Sequence, residues 1–395
     1  MSQIQQFIKD HESDDIRSLA LQAKRYPEID MPFALQQIAG RQITKEKVPV
    51  WYACDRIIYP KHISLEQCSS QNTAQFKASL YDGYSLTDLT GGMGVDFSFM
   101  ATRYLQATYV EQQTELVQLA NHNFRELGLA NATIVAGDAV TYLQSMSPVD
   151  LIYIDPARRD TKGQKTVLIE DCTPNIVDIE VLLEEKSKRT MIKLSPMLDI
   201  SLALKSIRNV SDVYIISSNN ECKELLFVKE NDINDTNDTH NSPLLHCVNI
   251  LKDRIHLFTF TKIQEENLQI NYTACVSKYL YEPNSSLIKG GAYKSISKRY
   301  NLHKLHINSH LYTSDELQPD FEGRKFIVDG VSSLNKNELK PFLSQISQAN
   351  IATRNFPLSP QELRKRLKLN DGGDVYIFGT TLDDGKKVLI FCRKA

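Results

Sequence analysis

Between residues 85 and 217 the apolar positions come in short runs, SLTDLT, ATYVEQ, ATIVAGD, VDLIYID, TMIKLS and DVYIISS, separated by stretches with helical spacing. Apolar, β-branched runs of this length predict strands, and their alternation with helices predicts a parallel-rich sheet. The clearest helix lies between the second and third runs, where Leu116, Leu119, Ala120, Phe124 and Leu127 share one face and Gly128 ends the pattern. Upstream, IQQFIKDH, DDIRSLALQAKRY and MPFALQQIAGRQ predict helices broken by turns, with Leu19 and Leu21 on an apolar face beside Ile16 and Pro49 stopping the run. Downstream, ELLFVKE, LLHCVNIL and IHLFTFT predict strands around a polar insert, NDINDTNDTHNS, expected as an exposed loop. After residue 270 the mixture restarts, with turn signals at Pro283, Gly290-Gly291, Gly323 and Gly330. It closes with DVYIFGT and KKVLIFCRK around Asp383-Asp384-Gly385, a predicted hairpin ending a small α+β domain.

The length of 395 residues exceeds the roughly 250–300 at which one core stops growing, so several domains are expected. With 42% hydrophobic and 24% charged residues, a collagenous, mostly disordered or disulfide-scaffold chain is excluded. No apolar run approaches the ~18 residues of a membrane helix, and the start is polar and acidic, so a cytoplasmic protein without a membrane partner is expected. The seven cysteines are scattered and never form a CxxC pair, which predicts reduced thiols and no metal site. The net charge of −2 hides an asymmetry, with 19 Lys/Arg against 12 Asp/Glu from 277 to 395 and 27 against 36 before it. A basic C-terminal third is either a solvated face or the electrostatic footprint of a phosphate backbone.

The strongest chemical signal is Thr87-Asp88-Leu89-Thr90-Gly91-Gly92-Met93-Gly94-Val95-Asp96, where a predicted strand gives way to a helix. Its glycines permit φ > 0 and close approach of a ligand to the backbone. A dinucleotide fingerprint would need a third glycine where Phe97 stands, and Asp88 would repel a pyrophosphate. S-adenosylmethionine (SAM) instead carries an ammonium and a sulfonium and no phosphate. Glu111, ending the second strand, can accept both ribose hydroxyls, and Asp138, followed by Ala139 after the third strand, stands where an adenine amino group would be read. Each carboxylate could equally cap a helix, but three on successive strand ends beside a glycine turn point to one site at the carboxyl edge of the sheet.

DLTGGMGVD resembles the acidic, glycine-rich first motif of class I SAM-dependent methyltransferases, with Thr90 in place of the first glycine of its commonest form. That resemblance implies a Rossmann-like α/β sheet and SAM as cofactor, bound through Asp88, Thr90, Gly91, Gly92, Gly94, Glu111, Asp138 and Ala139. The preceding LEQCSSQNTA resembles the polar loop and helix start that lids the methionine end of SAM, which adds Gln67, Ser70 and Thr73, although Ser70 could simply cap a helix. Asp155-Pro156-Ala157-Arg158, ending the fourth strand, resembles the D/N-P-P-Y/F tetrad of enzymes that methylate exocyclic amino groups of nucleobases. Pro156 stops the strand, so the Asp155 carboxylate and the Pro156 carbonyl can converge on an amino group that must be aimed. Ala157 departs from the tetrad, and Arg158 replaces the base-stacking aromatic; Arg158 could stack, bind a phosphate or, like Arg159, pair with nearby acids. A cysteine-nucleophile mechanism has only Cys172 as a nearby candidate.

The closing ATRNFPL and PQELRKRLKLNDGGDVYIFGTT resemble the THUMP-like domain found behind bacterial methyltransferases, and residues 271–320 resemble the ferredoxin-like unit preceding it there. The implied organisation is an N-terminal helical segment over 1–60, a methyltransferase domain over 61–270, the ferredoxin-like domain over 271–320 and the THUMP-like domain over 321–395. THUMP relatives imply an RNA partner, tRNA or rRNA, with Arg354, Phe356, Arg364, Lys365, Arg366 and Lys368 as the RNA-binding set. The same helix read plainly is a solvated face anchored by Leu363 and Leu367. The expected activity is SAM-dependent methylation of a nucleobase amino group in RNA, with Asp155, Pro156 and Arg158 at the reacting centre. An RNA-binding protein with a degenerate core, or a methyltransferase acting on a small molecule or protein, is the alternative.

Overall fold

The computed structural model describes residues 3–60, 62–158, 169–231, 242–252 and 254–395; residues 232–241 of the predicted insert loop and Arg159 lie outside them. The chain divides into two compact units, Met1–Val213 with Glu224–Asn241, and Tyr214–Lys223 with Ser242–Ala395. Strands follow chain order as β1 Gly83–Asp88, β2 Tyr104–Glu111, β3 Ala132–Ala136, β4 Val149–Ile154, β5 Ala157–Arg158, β6 Cys172–Thr173, β7 Ser187–Leu194, β8 Val210–Ser218 and β9 Glu221–Glu230.

In the first unit β3-β2-β1-β4-β7 run parallel in that spatial order, and β9 adds on antiparallel. The order reverses between β1 and β4, the switch point outside whose carboxyl ends open α/β sheets bind ligands. β4 is buried over Leu151–Ile154, as the continuous apolar run predicts for a strand covered on both faces. Helix Thr114–Glu126 buries Leu116, Val117, Ala120 and Phe124, and Gly128 follows at φ 74°.

One N-terminal expectation fails. Leu21 is 88% exposed, because its helix, Ile16–Leu21, lasts under two turns and only Leu19 is buried on it. Helix Met31–Lys47 stops just before Pro49, as expected, and Pro49 then opens a further short helix, Pro49–Tyr52, where a proline at the first helical position needs no N–H.

The second unit contains β10 Leu244–Ile250, β11 Ile255–Thr261, β12 Tyr279–Pro283, β13 His303–Lys304, β14 Tyr312–Ser314, β15 Gly323–Ser332, β16 Asn350–Arg354, β17 Val375–Thr381 and β18 Lys387–Lys394. Seven of these form one sheet in the order β13-β14-β12-β15-β18-β17-β16. The predicted β17–β18 hairpin is present, with Gly385 at φ 82° in its turn. One core of this unit joins Leu339, Leu363 and Leu367 from two helices, Lys336–Leu343 and Pro360–Leu367, to Ile377, Leu389 and Phe391. The other joins Phe326, Phe378, Ile390 and Cys392 to Leu280, Leu305 and Leu311.

Candidate active site

The glycine turn after β1 is shaped by two aromatic rings beneath it. A Cβ on Gly91 would fall 2.1 Å from the Tyr109 ring, and one on Gly94 would fall 2.6 Å from Phe124. Gly92 and Gly94 adopt φ 55° and 85°, and Gly94 caps helix Val95–Met100. The Tyr109 hydroxyl donates to the Gly92 carbonyl. Phe97, standing where a third glycine would be, is fully buried against Tyr109 and Phe124.

Four carboxylates gather along the strand ends. Asp88 is 1% exposed and accepts the Thr90 amide at 3.0 Å. Burial, with Asp96 and Asp155 nearby, pushes its pKa up to about 8 against the opposing pull of that amide and of Lys193. Glu111 accepts the Gly92 amide on one oxygen and the Gln113 amide on the other, each at 2.8 Å, so it braces the glycine turn from the next strand. Asp138 is exposed and caps helix Ala139–Ser145 through the Thr141 amide at 2.9 Å, a bond that holds its carboxyl below the usual range. Asp155, just past β4, keeps 39% of its side chain exposed, and its amide donates to the Thr90 hydroxyl at 2.7 Å. Thr90, which departs from the commonest motif, thus ties the turn to Asp155 at the end of β4.

Pro156 is buried, Ala157 exposed, and β5 pairs with β6 through Ala157–Thr173 and Arg158–Cys172. The Arg158 side chain lies outside the described residues. Cys172 is 3% exposed, a poor placement for a nucleophile that must reach a base. Gln67 is exposed at the end of helix His62–Gln67; Ser70 caps helix Gln71–Leu80 through Thr73, which is buried.

A buried ion cluster behind Asp155 escaped the sequence reading. Lys193, near the end of β7, sits 2.5 Å from Asp155 Oδ2, 3.2 Å from Ser69 Oγ and 3.4 Å from Asp96 Oδ2. Lys77 reaches Asp96 at 2.9 Å and Glu224 at 2.7 Å, and the hydroxyls of Ser69 and Tyr153 donate to Asp96 at 2.7 and 2.8 Å. Burial opposes the Lys193 ammonium, yet Asp155, Asp96 and Glu224 outweigh it and hold its pKa well above the usual value. Burial likewise opposes the Asp96 carboxylate, and Lys77 with Lys193 outweighs it, so Asp96 stays ionised. The only hint was Asp96 within the glycine motif; its partners are 19 and 97 residues away.

In the second unit, helix Pro360–Leu367 buries Leu363 and Leu367 and exposes Lys365 and Arg366, with Lys368 at its left-handed C-cap. Arg364 pairs with Asp371, and Arg354 with Glu282 at 2.8 Å. Phe356 is half-buried, lies against Gly379 and packs on the core. A groove beside this helix, of about 380 Å³, is floored by Leu334, Leu339, Leu343 and Leu367 and flanked by Lys336, Lys340 and Arg366. The two lysines are additional basic groups, unmarked in sequence because they lie on a separate helix.

A solved structure from Porphyromonas gingivalis W83, described as a "putative methyltransferase", is 34% identical to the chain, covers 99% of this chain and 97% of its own, and superposes with a TM-score of 0.88. The chain belongs to that methyltransferase family. Family models match a ferredoxin-like domain over residues 279–321 and a THUMP domain-like region over 323–394, which bears out the resemblance read at the C-terminal end of this methyltransferase. Remoter matches include an rRNA methylase from Streptococcus thermophilus (14% identity, 40% of this chain and 93% of that one, TM-score 0.30). Another is M. capricolum TrmK in complex with S-adenosyl-homocysteine (11%, 42% and 70%, TM-score 0.32). No curated protein matches the sequence. Among the described residues no helix is long and apolar enough to cross a membrane, and no group of three or more His, Cys, Asp or Glu is placed to hold a metal ion.

Proposed function

We infer that this methyltransferase uses SAM to methylate an amino group in RNA. The observation that carries the reading is the convergence of the glycine turn and Asp155 at the β1/β4 switch point, joined by the Thr90 hydroxyl. The donor set fits SAM: a buried carboxyl at Asp88 that a cationic ligand would compensate, an acceptor at Glu111 for hydroxyls, and no lysine in the turn for a phosphate. Gln67, Ser70, Thr73, Asp138 and Ala139 complete the proposed cofactor set. When bound, SAM supplies an electrophilic methyl group on a sulfonium. Asp155 would accept an N–H of the acceptor and turn the nitrogen lone pair outward, while the Pro156 carbonyl would take the second N–H; as the N–C bond forms the methyl–sulfonium bond would break to leave a neutral thioether, and the proton released from nitrogen would leave through the carboxylate edge to water. Arg158 is the residue proposed to meet the base or a phosphate. Lys365, Arg366 and Lys368, with Lys336 and Lys340 beside them, make the proposed RNA face, Arg354 and Arg364 serving it only by exchanging their present partners.

The test is transfer of labelled methyl from SAM into total RNA from a strain lacking the gene. Asp155→Ala is expected to keep SAM affinity and lose roughly 10²–10⁴-fold in rate, the scale of a lost positioning or proton-accepting group. Asp155→Asn should retain more, because an amide oxygen still accepts one N–H. Full activity in Asp155→Ala removes the amino-group mechanism.

A further inference from the structure

Lys193 has no role in the reading above, yet its ammonium is the group closest to the carboxylate at the reacting centre. Its side chain is 12% exposed and extends from a strand that is otherwise buried at Met191, Ile192 and Leu194. An ammonium has three hydrogens, and Lys193 meets three acceptors: Asp155 Oδ2 at 2.5 Å, Ser69 Oγ at 3.2 Å and Asp96 Oδ2 at 3.4 Å. No donor is left over for a ligand. The acceptors are themselves fixed: Asp96 is held by Lys77, Ser69 and Tyr153, and Lys77 is anchored by Glu224. The chain of contacts therefore runs from Glu224 through Lys77, Asp96 and Lys193 to a single end that reaches the surface, Asp155.

Resting on the reading of Asp155 as the carboxylate that aims the acceptor, we propose that Lys193 is a positioning residue, which pins one oxygen of Asp155 to the buried Asp96 cluster and so fixes the direction in which the carboxylate faces the acceptor. A carboxylate on a single flexible side chain at a strand end samples several rotamers, and each unproductive one lowers the fraction of encounters in which the nitrogen is aligned. The pairing selects one. It also explains why two lysines, buried Lys77 and half-buried Lys193, stand beside a site for a cationic cofactor: they are paired internally with Asp96, Glu224 and Asp155, and two ammoniums against three carboxylates leave no net positive charge to face the ligand.

The proposal is tested with Lys193→Met, Lys193→Arg, Asp155→Asn and the Lys193→Met/Asp155→Asn double variant. Lys193→Met is expected to bind SAM within about threefold of the natural protein and to leave KM for total RNA within about threefold, while kcat falls at least about 30-fold, the signature of lost alignment rather than lost binding. Lys193→Arg should recover part of that loss. In the Asp155→Asn background, Lys193→Met should cost little more. Thermal unfolding gives a readout independent of transfer: Lys193→Met should lower Tm, and adding Asp155→Asn should raise it again by relieving an unbalanced carboxylate. Unchanged kcat in Lys193→Met, or strictly additive losses of kcat and Tm in the double variant, would overturn the proposal. If the natural protein methylates no RNA, the functional reading falls separately, and the Tm cycle alone decides whether Lys193 holds Asp155.

Discussion

At the scale of single residues, Asp88 and Glu111 show how differently two carboxylates on neighbouring strands can be used. Asp88 has its pKa pushed up to about 8 in the fold by burial, with Asp96 and Asp155 adding to the shift and the Thr90 amide and Lys193 opposing it, against roughly 3.9 when unfolded. Between those values the folded chain holds a proton that the unfolded chain has lost, so this residue makes stability fall as pH rises from about 4 to about 8, by at most about 1.4 kcal/mol per unit. Asp88→Asn, whose side-chain oxygen can still accept the Thr90 amide, should flatten that part of the profile; urea midpoints at pH 5 and pH 8.5 give the comparison, and an equal slope in both proteins would place the titration elsewhere. Glu111→Ala should weaken SAM binding by roughly 1.5–3 kcal/mol, about 10- to 150-fold, because the Gly92 and Gln113 amides lose their acceptor as well as the ligand. Calorimetry on the folded variant measures it. Both residues were legible as candidates from their places after strands. Lys77 and Lys193 were not, since a lysine in QNTAQFKASL or TMIKLS looks like any helix or strand lysine until tertiary pairing brings Asp96 to it.

At the scale of elements, the sequence was most readable where the local pattern and the tertiary demand agree. The helix after β2 and the apolar run of β4 fall where their periodicity puts them, because both bury the faces that the pattern marks. Leu21 misled because so short a helix presents too little face to cover every apolar residue near it. The glycine turn was legible as a motif, but the reason for Gly91 was not: the Tyr109 ring beneath it comes from the next strand. Gly91→Ala should therefore cost about 1–3 kcal/mol of stability through overpacking of a ring that has no room to retreat between Phe97 and Phe124. Denaturant unfolding checks this, and a neutral result would show that the turn can lift away from the ring.

At the scale of the whole molecule, the acidic first two thirds and basic last third of the sequence predict that binding of RNA is governed by the second unit. Neutralising Lys365, Arg366 and Lys368 together should weaken RNA binding and reduce the log–log salt slope by about 0.7–0.9 for each phosphate no longer neutralised, with SAM affinity unmoved. Filter binding across a salt series tests it; an unchanged slope makes this helix a solvated face. The basic set was only half legible, because Arg354 and Arg364 turn out to be neutralised by Glu282 and Asp371, partners that spacing along the chain does not reveal. The second unit also carries a feature with a bearing on synthesis. β18 lies between β15 and β17, so a central strand of the sheet is made after both of its neighbours. While a ribosome still encloses residues 387–394, β15 and β17 each keep a bare edge, so the seven-stranded sheet can close only after translation has passed its final strand. The form lacking this strand is thus the one most open to pairing with a foreign strand, and a released chain cut before residue 387 should aggregate more than one carried through residue 394.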